Sequence, residues 1–147
     1  MKIIFGSDYQ GKKQVERMKR ALSHVGKVVD VVEKNPALDN YIDISKEVSR
    51  LVKKHKTEGI LMCGTGSGTA ICANKHKGIY AVACYELTHA KNAKIINNAN
   101  VLCLSAFTPV EKNIKIAMRF LETKYQGRKP HRLKAVRKLE KANVRQS

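Results

Sequence analysis

Five short apolar runs alternate with segments of helical periodicity along one 147-residue chain. That alternation predicts an α/β fold, a single-domain doubly wound five-stranded parallel sheet with helices on both faces and an extra C-terminal helix. The runs are nearly continuous in apolar residues, as strands buried on both faces must be. Two of the strand-to-helix turns, Gly6-Ser7-Asp8 and Gly64 to Gly68, carry the residue types of ligand-holding loops.

Lys2 to Gly6 reads as the first strand, followed by a helix with Val15, Met18, Leu22 and Val25 on one face. Lys27 to Val32 is a second strand, and Asn35-Pro36 with Asp39-Asn40 marks a loop before a helix built on Ile44, Val48, Leu51 and Val52. Gly59 to Cys63 is a third strand that runs into the glycine loop and a helix through Ala70, Ile71, Ala73 and Asn74. Ile79 to Cys84 is a fourth strand, Leu87 to Ile95 a helix, and Asn100 to Leu104 a fifth strand. A helix after Pro109 places Ile114, Ala117, Met118 and Leu121 together. The expected strand order is 2-1-3-4-5. A last helix, about residues 131–143, carries Leu133, Val136 and Leu139 in a stripe with no strand left to cover, and is expected to pack against a second subunit.

At 43% hydrophobic the chain suits one domain spanning 1–147. Apolar runs such as Ile79 to Cys84 fall far short of a membrane span, and no signal-peptide pattern opens the sequence, so a soluble cytoplasmic protein is expected. Cys63, Cys72, Cys84 and Cys103 lack CxxC or Cys/His metal spacing, which predicts free thiols in a reducing compartment and no metal. The formal charge of +17 reflects 29 Lys and Arg against 12 Asp and Glu. Lysines are spread along the whole chain without an aromatic-interleaved basic strip, so specific nucleic-acid binding is not expected.

In such a sheet ligands collect beyond the C-terminal strand ends, where strand order reverses. The loops after strands one and three meet there. Closely spaced glycines let backbone N–H groups approach an anion, and the helix starting near Ser67 adds its positive end, so Gly64, Gly66, Ser67 and Gly68 form a candidate oxyanion or phosphate cradle. The loop has neither the GxGxxG pattern nor a Walker Lys-Ser/Thr, which disfavours nucleotides. Cys63 ends a buried strand directly before that loop, where helix and backbone dipoles favour a thiolate able to abstract a proton. The other three cysteines read as small core residues.

Asp8, Met62-Cys-Gly-Thr-Gly-Ser-Gly68 with Ala73-Asn74-Lys75, Gly78-Ile79, Asn97 with Asn100-Val101, and Tyr125-Gln-Gly-Arg128 with Arg132 resemble the family of ribose-5-phosphate isomerase type B and galactose-6-phosphate isomerase. The resemblance runs in order over most of the chain. It implies a cofactor-free aldose–ketose isomerase acting on a small sugar phosphate, as a dimer or dimer of dimers with sites shared between subunits. By the same resemblance Cys63 shuttles a proton between C1 and C2, and the loop amides with the Thr65 hydroxyl stabilise the enediolate. Asp8 and Asn97 hold sugar hydroxyls, Tyr41 lies near the substrate, and Arg128 and Arg132, read as one helical turn apart, grip the phosphate.

Three positions depart from the family pattern. Tyr9 stands where the family has histidine after the aspartate, Ile96 where it has the histidine that opens the sugar ring, and Phe107 where it has a phosphate-binding arginine. Isoleucine can neither donate nor accept a proton. Either His89 or Tyr9 substitutes, open-chain substrate is captured directly, or the chain is half of a mixed assembly. Interconversion of ribose 5-phosphate and ribulose 5-phosphate is the leading expectation. A hexose-6-phosphate isomerase subunit needing a partner chain, and a non-catalytic sugar-phosphate binding protein, are the alternatives.

Overall fold

The computed structural model describes residues 1–146, with side chains to residue 140. Its elements are β1 (Lys2–Ser7), a 3-10 turn (Tyr9–Gln14), α1 (Val15–Leu22), β2 (Lys27–Asp30), α2 (Val31–Lys34), α3 (Tyr41–His55), β3 (Glu58–Cys63), α4 (Ser67–Asn74), β4 (Ala81–Ala83), α5 (Leu87–Ile95), β5 (Val101–Ser105), α6 (Val110–Glu122) and α7 (Pro130–Gln146). All four strand pairings are parallel, in one sheet.

The predicted doubly wound α/β sheet is present, with one correction. The order is β2-β1-β3-β5-β4, not 2-1-3-4-5. Burial explains the exchange. Every residue of β5 is buried, as an interior strand requires, whereas β4 keeps only three residues of the predicted Ile79 to Cys84 run, two of them half-buried, and suits an edge. Right-handed crossovers then send α1, α5 and α6 to one face and α2, α3 and α4 to the other. Phe5, Met62, Leu104, Met18 and Phe120 are among the residues of the first core, and Ile4, Leu61, Cys103, Ile44 and Val48 among those of the second.

Two further boundaries differ from the sequence reading. The second strand stops at Asp30 because its carboxylate accepts the N–H groups of Val32 and Glu33 and caps α2, turning Val31-Val32 from strand into helix. The first helix ends at Leu22, leaving Val25 exposed beyond it. At the far end, α7 touches its own chain, with Glu140 accepting the Gly78 N–H at 3.1 Å, while Val136 and Leu139 stay exposed.

Candidate active site

Cys63 is the last residue of β3, opposite Ser105 of β5, with its side chain buried. Beyond it the chain must turn sharply into α4. Gly66 makes that turn at φ +82°, a conformation costly for any residue with a Cβ, and a Cβ there would also press the Leu104 backbone at 3.2 Å. The turn folds the Gly66 N–H back onto the Cys63 sulfur at 3.2 Å. Thr69, fully buried, brings its hydroxyl within 3.6 Å of the same sulfur and donates to the Gly66 carbonyl at 3.1 Å. Ser105 braces the loop from below, donating to the Gly64 carbonyl at 2.7 Å, and the Ala106 N–H donates to the Cys63 carbonyl at 2.9 Å. Both braces come from the strand that the sheet order puts beside β3.

The loop amides divide between two tasks. Gly66 is committed to sulfur, and the Ser67 N–H is capped by Thr65 Oγ1 at 3.2 Å. The N–H groups of Gly68 and Thr69, in the first turn of α4, have no partner within the helix and sit at its positive end. Thr65 Oγ1, already an acceptor, keeps its own hydrogen to donate. An oxyanion beside Cys63 thus finds donors in the Thr65 hydroxyl and the Gly68 N–H, the Thr69 N–H being buried with its residue.

Neighbouring elements wall this loop. The ring of Tyr41, at the start of α3, lies on Gly68 so closely that a Cβ there would come within 2.9 Å of Cε2. Gln10 and Phe107 flank Gly64, each 3.6 Å from where its Cβ would stand. Asp8 is buried between β1 and β3. Its N–H donates to the Met62 carbonyl at 3.1 Å, and its carboxylate accepts the Gln10 N–H at 2.9 Å. Burial pushes the Asp8 carboxyl above its ordinary value, with the Gln10 and Gly11 N–H groups pulling the other way. Tyr9 stands exposed beside it, its hydroxyl accepting from the Gln10 amide.

On the other flank, the Tyr85 hydroxyl donates to the Thr65 carbonyl at 2.8 Å, and the Tyr85 N–H donates to His89 Nδ1 at 3.3 Å. A neutral His89 so held carries its proton on Nε2. His89 is thus an exposed imidazole on the same sheet edge as Cys63.

Asn97, Arg128 and Arg132 do not join this cluster within one chain. Asn97 precedes β5, which runs from Val101 beside Gly59 to Ser105 beside Cys63, so roughly 13 Å of strand separates its edge of the sheet from the sulfur. Asn97 instead lines a cavity with Tyr80 and with Leu133, Val136 and Arg137 of α7. Ile96 is exposed beside it. Arg128 and Arg132 are not one helical turn apart. Pro130 opens α7, Lys129 before it is left-handed at φ +48°, and Arg128 lies outside the helix with its carbonyl accepting the Tyr125 hydroxyl at 2.9 Å. One chain therefore presents two clusters on opposite sheet edges, one around Cys63 and one of Asn97 with the start of α7.

Of the remaining thiols Cys84 and Cys103 are core groups as expected, whereas Cys72, on α4, is only half-buried and belongs to neither core. Burial pushes Cys84 up to about 11 and Cys103 up to about 12, and raises Cys72. Among the described residues no group of three or more His, Cys, Asp or Glu side chains could hold a metal ion. Thr69, Tyr85, Gln10 and Ser105 belong to the site without having been read from the sequence. Thr69 directly follows the glycine loop and Tyr85 follows the fourth strand, positions that mark neither as functional until the loop is folded.

A family model described as Ribose/Galactose Isomerase matches residues 3–137. The chain belongs to the ribose/galactose isomerase family. A probable ribose-5-phosphate isomerase B of Mycoplasma genitalium is 42% identical over 108 residues, 69% of this chain and 71% of the relative. Among solved structures, the ribose-5-phosphate isomerase B of Clostridium thermocellum superposes with a TM-score of 0.89 at 30% identity, covering 97% of this chain and 99% of the other. The Mycoplasma genitalium ribose-5-phosphate isomerase B with bound ribulose-5-phosphate gives 0.86 at 36% identity, over 95% and 96%. This member of the ribose/galactose isomerase family carries the Cys63-Gly-Thr-Gly-Ser-Gly68 loop with Tyr9 and Phe107 near it, and Ile96 beside Asn97 at the other edge of the sheet.

Proposed function

We propose that this protein is an aldose–ketose isomerase interconverting ribose 5-phosphate and ribulose 5-phosphate, with Cys63 as the base. The observation that carries the reading is the Cys63 sulfur, held by the Gly66 N–H at a sheet switch point beside a helix N-terminus, in a chain of this family. The Cys63 thiolate takes the C2 proton of the open-chain aldose, leaving an enediolate whose oxygen charge is met by the Thr65 hydroxyl and the Gly68 amide. Sulfur returns the proton to C1 while the O2 hydroxyl gives up its proton and O1 gains one, so the ketose forms with no atom gained or lost. Asp8 and Tyr41 hold the sugar, and His89 opens the ring.

A complete site takes two chains in this proposal, as a homodimer or a dimer of dimers. Asn97, Arg128 and Arg132 of one subunit meet the Cys63 loop of another, and the separation of the two clusters on opposite sheet edges supports it. Four free cysteines, with no described helix long and apolar enough to cross a membrane, support a cytoplasmic location. Replacing Cys63 tests the chemistry. Cys63→Ala should lose at least about a thousandfold in turnover, still bind ribulose 5-phosphate by calorimetry, and no longer bring solvent deuterium into C2. A fully active variant overturns the assignment.

Exposed Ile96 supports a second reading, a hexose 6-phosphate isomerase subunit completed by a different chain. The purified protein alone would then be inactive on both sugars.

A further inference from the structure

Two groups touch the Cys63 sulfur, and only one of them is backbone. The Gly66 N–H has a fixed direction and always points its hydrogen at sulfur. The Thr69 hydroxyl, 3.6 Å away, is a rotor with one hydrogen, for which the Gly66 carbonyl, the Cys63 sulfur and the Cys103 sulfur compete. Toward the Gly66 carbonyl, 3.1 Å distant, it leaves its oxygen lone pairs for a thiol S–H. Toward sulfur, it stabilises a thiolate. No water reaches it, since Thr69 is fully buried. The same side chain lies beside Cys103, whose thiol burial keeps protonated. Cys63 is thus the partner on which a swing of the hydroxyl acts.

We propose that Thr69 is a positioning residue for Cys63, its hydroxyl turning between the Gly66 carbonyl and the sulfur as the thiol loses and regains its proton. Such a donor is needed only when sulfur is charged. It lowers the cost of the thiolate in a dry pocket, and it swings back to the carbonyl once the thiol holds the substrate's proton. No proton leaves Thr69 in the cycle; its hydrogen bond changes direction and nothing else. A residue of valine's shape would pack equally well, so packing alone does not account for a hydroxyl at this position.

The inference rests on Cys63 being the base, yet its first test does not depend on turnover. Thr69→Val keeps the shape and removes the hydroxyl; Thr69→Ser keeps the hydroxyl. The rate of Cys63 alkylation by iodoacetamide, followed by mass spectrometry from pH 6 to 10, reports the thiolate directly. In Thr69→Val the titration should move up by about one pH unit, a tenfold smaller thiolate fraction at a fixed pH below it. Thr69→Ser should track the wild type. The acid limb of kcat/KM for ribose 5-phosphate should move by the same amount with KM little changed. An unmoved alkylation profile in a folded Thr69→Val protein overturns the proposal. A shifted alkylation profile with an unmoved kcat/KM profile would uphold the Thr69–Cys63 coupling and count against Cys63 as the base. If Thr69→Val does not fold, Thr69→Cys keeps a weak donor in place and must give an intermediate shift; a wild-type profile there counts against the proposal.

Discussion

At the scale of single residues, the four thiols of one chain are sorted by surroundings alone. Cys103 lies wholly inside the sheet's second core and is pushed by burial to about 12, and Cys84 to about 11. Both are far from thiolate at neutral pH, whereas the Cys63 sulfur lies at the end of β3 and accepts the Gly66 N–H. Short exposure of the native protein to iodoacetamide at pH 8 should therefore label Cys63 and the half-buried Cys72 and leave Cys84 and Cys103 unlabelled until the chain unfolds, as peptide mapping will read. The same shifts carry a sign for stability. Their native values exceed the ordinary 9.0, so between that value and the native ones the unfolded chain sheds protons that the folded chain keeps. Stability falls as pH rises through this window, by about 1.4 kcal/mol per unit for each thiol. Urea midpoints at pH 8 and pH 10 should show the loss, and Cys103→Ala should flatten it. Constant midpoints in the wild type would contradict the burial of these groups.

At the scale of elements, alternating strands and helices were legible because parallel strands buried on both faces must be nearly all apolar, and Gly59 to Cys63 could be little else. The order of the last two strands was not. Val101 to Ser105 and Ile79 to Cys84 are equally apolar, and what separates them is tertiary: helical crossovers cover both faces of the first, while the second forms three ladder residues at an edge. The site divides in the same way. Cys63 announced itself by ending a buried strand before glycines, and Tyr41 and His89 do lie on its sheet edge. Thr69 and Tyr85 did not announce themselves, since a threonine in a helix and a tyrosine after a strand acquire meaning only from the folded loop between them. The 3-10 turn holding Asp8 beside β3 was also invisible, because Gly11 looks like any loop glycine. A Cβ at Gly11 would meet Ser7 Oγ at 2.2 Å and the Met62 sulfur at 2.6 Å. Gly11→Ala should cost about 1–3 kcal/mol by overpacking. It should also raise KM by lifting the turn that carries Asp8, measurable by denaturation and steady-state kinetics together. An unchanged melting curve would mean the turn is not packed as described.

At the scale of the whole molecule, the decisive feature is that no single chain assembles the proposed constellation. The thiol, its donors and Asp8 occupy the C-terminal edge of the sheet, while Asn97 and the start of α7 occupy the other. A chain long enough to fold as one domain has no means of bringing these edges together. In the proposed dimer two copies related by a twofold axis would do so, each presenting its arginines to the other's loop so that one interface closes two sites at once. This makes the oligomer testable by complementation. On that proposal Cys63→Ala should disable one edge and Arg132→Ala the other, and each variant alone should be inactive with two damaged sites. Mixed dimers of the two variants, by contrast, concentrate both lesions in one site and leave the second site wholly wild type. If subunits exchange at random in an equimolar mixture, half the dimers are mixed and each has one working site of two, so activity should recover to about a quarter of the wild-type value. Mixing before and after crosslinking separates exchange from residual activity. A mixture that stays as inactive as its components would show that Arg132 serves the Cys63 loop of its own chain or does not serve it at all.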